Sequence, residues 1–94
     1  MNILTSNQIL GALITYNRAL IGLSIGQLSA DLDISYQHLW DLENDHRTVT
    51  EPRIEAIILL LKITPEFFWQ NIPLAINKLK QKNSAKPSSA QNIS

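Results

Sequence analysis

The side chains best equipped for chemistry crowd into one short window, Tyr36 to Asp41, where a phenol, an amide, an imidazole, an indole and a carboxylate stand almost side by side. Their types argue against bond-making chemistry. His38 and His46 are eight apart, fall on different elements and lack an acidic partner at metal-ligand spacing. No glycine-rich phosphate loop and no nucleophile motif accompanies them. Glu51 and Glu55, four apart, read as a solvated helix face and not as an acid–base pair. No enzyme activity, metal or cofactor is expected. What remains is recognition by polar and aromatic groups on one surface.

The elements that must position these groups follow from the flanking pattern. Leu28 and Leu32 lie four apart, one face of a helix over Ile25–Leu32 with Ser24 as its cap. Asp33 tolerates a left-handed backbone and ends that helix. Ser35 caps the next, in which Leu39 and Leu42 turn inward and Tyr36, Gln37, His38, Trp40 and Asp41 stay off the buried stripe. A short helix, a tight turn and a polar-aromatic helix form the helix-turn-helix pattern.

Helices are expected on either side. Leu10, Leu13, Ile14, Asn17, Arg18 and Ile21 form one stripe of a first helix, Thr5–Ile21, stopped at Gly22. Arg18 on that stripe and Glu43 at the edge of the third helix are both misplaced as lone charges. The reading that reconciles them is a partly buried salt bridge joining the two helices, with a structural role. Asn44 to Thr50 is a polar loop. Thr50, Glu51 and Pro52 open a fourth helix whose stripe is Ile54, Ile57, Ile58 and Leu61. Thr64 and Pro65 open a fifth, through Phe67, Phe68 and Trp69. Pro73 ends or kinks that segment, and Leu74, Ile76 and Leu79 suit a further short helix.

Ninety-four residues without cysteine bound the answer to one small domain with no disulfide framework, as in a cytoplasmic protein. No apolar run approaches the roughly 20 residues of a membrane span, and the first residues do not read as a signal peptide. Net charge is zero but uneven. Up to Trp69 there are four basic residues (Arg18, Arg47, Arg53, Lys62) against eight acidic ones, while Lys78, Lys80, Lys82 and Lys86 follow with no acid among them. An acidic globular part is a poor electrostatic partner for DNA. The lysines add nonspecific attraction for a polyanion or simply keep the chain soluble.

Residues 8 to 70 resemble the Cro and phage-repressor (XRE-type) helix-turn-helix family. Arg18 stands where that family has its helix-one arginine. Gly22-Leu23-Ser24 resembles its Gly-Leu-Ser/Thr link, and Leu28-Ser29 its Leu-Ala. Asp33-Ile34-Ser35 stands for Gly-Val-Ser. Leu39 and Glu43 match the recognition helix, and Asn44 and Arg47 its Asn-Gly-Arg-like loop. Ile54, Ile57, Leu61 and Ile63, then Thr64 and Phe67, follow its last two helices. Ile25 departs from it, standing where the family often has a phosphate-contacting Gln; Gln27 is an imperfect substitute.

The resemblance implies an all-α, five-helix lambda-repressor-like DNA-binding domain over residues 5–71. A short helical extension would follow over 72–82, then a disordered tail over 83–94. It implies a sequence-specific transcriptional regulator, a homodimeric repressor reading the major groove of double-stranded operator DNA with helix 35–44. Bases would be read by Tyr36, Gln37 and Asp41, with His38 nearby; a Gln37 amide pairs bidentately with adenine. Phosphates would be met by Asn44, Arg47, Arg53 and Gln27. Leu59, Leu60, Phe68 and Trp69 are candidates for a two-fold dimer interface, while Phe67 and Phe68 are expected to complete the core. Trp40 is expected to pack back under helix one or two. If it is instead exposed with Tyr36, the pair suits a protein partner, and the alternative is an interaction module (a regulatory adaptor or antitoxin-like protein) that does not bind DNA.

Overall fold

The computed structural model describes the backbone of residues 3–91 and the side chains of residues 3–81. The described residues form six helices: α1 (Ser6–Ile21), α2 (Ile25–Leu32), α3 (Tyr36–Glu43), α4 (Glu51–Leu61), α5 (Pro65–Gln70) and α6 (Ile72–Gln91). The fold is the expected all-α helix-turn-helix arrangement.

Local chemistry sets most of the boundaries. Thr5 caps α1 through a reciprocal box: its hydroxyl accepts from the Gln8 N–H, and the Gln8 side chain accepts from the Thr5 N–H. Ser24 and Gln27 repeat the device at α2. Gly22 ends α1 at φ 85°, and Asp33 ends α2 at φ 60°. The chain turns by 108° between α1 and α2. Ser35 caps α3 through the His38 N–H. Thr50 has the backbone of an N-cap at α4 but makes no side-chain cap bond. Thr64 and Pro65 open α5.

Helix α1 is the hub, packed against α3, α4, α5 and α6. Leu13, Ile14, Leu28, Leu39, Ile57 and Phe68 are wholly buried. Each such side chain contributes about 1.5–3 kcal/mol over an exposed one. Gly11 lets α1 approach the end of α3: a Cβ there would lie 2.7 Å from the Leu42 carbonyl oxygen and 2.9 Å from that of Glu43. Asn17, also buried, donates to the Leu13 and Phe68 carbonyls and accepts from the buried Asn71 amide at 2.8 Å. That pair ties α1 to the α5–α6 junction.

Arg18 and Glu43 form a bidentate pair, Nε to Oε2 at 2.8 Å and Nη2 to Oε1 at 3.0 Å. Arg18 Nη1 donates to the Leu23 carbonyl, so one guanidinium joins α1, the α1–α2 link and α3. Thr15 has one hydroxyl proton and two acceptors in reach, the Gly11 carbonyl and Glu43 Oε1. The shorter, charge-assisted contact at 2.8 Å to Glu43 is the stronger one.

Four expectations need correction. Phe68 is wholly buried, so it belongs to the core and not to a dimer interface; Phe67 is the exposed one. Consecutive helical residues point about 100° apart, and the phase of α5 on α1 turns Phe68 inward. Ile21 is exposed at the end of α1 instead of completing its stripe. Trp40 does not pack under α1 or α2; it lies over His46, ring centroids 5.3 Å apart, and stays partly exposed. Helix α6 runs as backbone to Gln91, past the end expected at residue 82. Lys, Gln and Ala are good helix formers, and the helix continues through Pro87, which has no N–H for the carbonyl four residues earlier. The tail expectation for residues 92–94 lies outside the described residues.

Candidate nucleic-acid interface

Helix α3 is held from behind and open in front. Leu39, Leu42 and Glu43 are buried, which fixes the rotation of the helix. Tyr36, at 57 % exposure, and Gln37 point to solvent, and Asp41 and His38 are half-buried beside them. The two exposed stripes are one helical turn long: Tyr36 with Trp40, and Gln37 with Asp41.

The polar stripe is already organised. Gln37 Nε2 donates to Asp41 Oδ1 at 2.8 Å. Arg47, from the loop after α3, brings Nη2 to 3.9 Å from Asp41 Oδ2. That ion pair is long and half-exposed, so it holds Arg47 only weakly. Arg53 lies in the first turn of α4. Burial, then Arg47, then Arg53 push the His38 imidazole below its ordinary range, and Asp41 pulls it the other way. Arg47 therefore stands beside the outward face of α3, and Arg53 is near enough to act on the His38 imidazole, although the globular part is acidic.

The remaining candidates divide. Asn44 donates its amide to the Trp40 carbonyl at 2.9 Å, closing the end of α3. Gln27 uses its carbonyl oxygen in the α2 capping box. Ile25 packs against the core, which explains an apolar residue at the start of α2. Gln37 and Arg47 both meet Asp41, and His38 lies on the same helix; Gln27 and Asn44 serve helix ends.

Away from α3 in the chain, Leu59 is 77 % exposed and Trp69 40 % exposed. With Ile58, Ile63 and Pro65 they line a groove of about 470 Å³ between α4 and α5. Helix α6 lies against α1 and α5 and leaves this patch open. Leu60 is partly buried against the core, so it takes a lesser part.

Residues that pattern reading missed are Asn7, Gly11 and the Asn17–Asn71 pair. Their signal is tertiary: each acts on a partner far along the chain. Among the described residues no group of three or more His, Cys, Asp or Glu could hold a metal ion. No single described helix is long and apolar enough to cross a membrane.

No family model matches the chain, and no curated protein matches it. Among solved structures it is similar to the wild-type restriction-modification controller protein C.Esp1396I, with a TM-score of 0.65 at 17 % identity, covering 73 % of this chain and 91 % of that one. At that identity the likeness shows the fold.

Proposed function

We propose that this chain is a sequence-specific DNA-binding transcription regulator, a cytoplasmic homodimeric repressor that lays α3 in the major groove. The observation that carries the reading is the outward face of α3, where Tyr36 and Gln37 are exposed and Arg47 stands beside Asp41 with its guanidinium only loosely held. An arginine beside the outward face of one helix, on an otherwise acidic body, suits a phosphate backbone that must flank that helix. Gln37 offers an amide for adenine, Asp41 an acceptor for cytosine N4, and Tyr36 a ring edge for a thymine methyl. The controller role named for the similar structure supports a regulator by analogy of fold. The α4–α5 groove supplies the dimer patch. A two-fold dimer sets two copies of α3 about 34 Å apart, one DNA turn.

The test is footprinting on the duplex immediately upstream of the gene. Protection of two half-sites in near-palindromic order, about one turn apart, is expected. No protection at low salt contradicts the reading.

A second reading has one observation in its favour. Tyr36 and Trp40 expose an aromatic stripe, and the globular part carries four basic residues against eight acidic. In that case α3 docks another protein, and DNA binding is absent at every salt concentration.

A further inference from the structure

We infer that Asn7, in the first turn of α1, is the residue that shapes the Arg47 loop for phosphate contact, a role that rests on the DNA-binding reading. Asn7 is far from α3 in sequence, yet three of its four hydrogen-bonding sites are occupied by the loop that follows α3. Its Nδ2 donates to Asp45 Oδ1 at 2.8 Å and to the Arg47 carbonyl at 3.1 Å. Its Oδ1 accepts from the Val49 N–H at 2.8 Å. The three bonds bracket Arg47 on both sides, so they fix the direction in which its side chain leaves the backbone.

The loop needs such a fastening. Asp45 adopts φ 64°, a left-handed conformation that glycine takes freely and aspartate tolerates at some strain. Its carboxylate is held by Asn7, which secures that conformation. Val49 anchors the far end by burial, 6 % exposed, and its N–H finds its acceptor in Asn7. Asn7 itself sits in a turn pinned by the Thr5–Gln8 capping box. The amide orientation is fixed chemically, since two oxygens lie at one end and an N–H at the other. Helix α1 thus reaches past α3 to set the loop beside it, while the weak contact at 3.9 Å to Asp41 leaves Arg47's guanidinium available to another anion.

Two measurements judge this. Asn7→Ala removes all three bonds, so exchange of the Val49 amide proton, followed by NMR, should speed up at least about tenfold while α3 amides keep their protection. Unchanged Val49 exchange overturns the proposal. On a labelled duplex from the region upstream of the gene, Asn7→Ala should weaken binding about tenfold and lower the salt slope by about one, as loss of a phosphate contact does. In the Arg47→Ala background the same substitution should change binding less than about twofold, because the residue acts through Arg47. Equal loss in both backgrounds overturns the positioning role. Asn7→Asp faces the Asp45 carboxylate with a second one and should be worse than Asn7→Ala; adding Asp45→Asn restores a donor–acceptor pair and should recover most of the affinity. Failure of that rescue counts against the clamp. A wild-type chain that binds no duplex at low salt sinks the DNA reading and the phosphate role together, whereas Val49 exchange still decides whether Asn7 holds the loop.

Discussion

Gln37 and Asp41, one turn apart on α3, are joined by a 2.8 Å hydrogen bond in which the amide donates to the carboxylate. A Gln amide has two protons on nitrogen, so the second proton and the carbonyl oxygen stay available. Those are the two groups adenine needs. Asp41 therefore orients Gln37 and also repels phosphate. Gln37→Ala should flatten sequence preference at one base pair by about 1–3 kcal/mol. Asp41→Ala should tighten binding to a scrambled duplex and narrow the ratio of specific to scrambled affinity. Competition binding with both duplexes checks this; an unchanged ratio for both variants contradicts it.

The Arg18–Glu43 pair should matter to stability and not to base choice. Glu43 is 8 % exposed, and Glu43→Ala leaves a guanidinium facing the interior without its carboxylate. Urea denaturation should show a loss of about 3 kcal/mol. Replacing both partners by methionine should be less damaging than the two single losses added, because no charge is then left unpaired.

The His38 imidazole should give opposite pH trends in folding and in binding. Burial and the nearby Arg47 and Arg53 hold its native pKa below the ordinary 6.5. The unfolded chain therefore binds the proton more readily. Its contribution to stability is full above the unfolded value and is lost as pH falls from there toward the native one. A phosphate backbone favours the imidazolium, so DNA affinity should rise over the same fall in pH. His38→Gln should flatten both trends relative to wild type. Identical profiles would remove His38 from the interface.

Self-association should depend on Leu59 and Trp69. Leu59→Asp alters a mostly exposed side chain, so the fold should persist while sedimentation shifts from dimer to monomer. Phe68→Ala should act differently: it empties the core and costs about 3–5 kcal/mol of folding free energy. A wild-type chain that sediments as a monomer at every concentration rejects the dimer.

The parts of this fold legible in the sequence are the ones governed by near neighbours. Ser24, Asp33 and Ser35 bound the helix-turn-helix by cap chemistry that needs only a few residues on either side. Arg18 and Glu43 could be matched because each broke an apolar stripe. The illegible parts depend on how elements meet. Nothing local distinguishes Phe67 from Phe68; the rotation of α5 on α1 does. Gly11 resembles any helical glycine until α3 is laid across it. Asn7 and its loop partners lie 38 to 42 residues apart. Trp40 found His46, beyond the end of its own helix. At the candidate site, the residue types on α3 were readable, but the contacts of Asp41 with Gln37 and Arg47 were not.

The most direct test of the DNA-binding claim is the salt dependence of binding to the upstream duplex, for wild type and Arg47→Ala side by side. Phosphate contacts release counterions, so log affinity should fall linearly with log salt. Arg47→Ala should weaken specific and scrambled duplexes alike and reduce the slope by about one. No binding at low salt, or an Arg47→Ala slope equal to that of the wild type, would contradict a chain that grips DNA at α3.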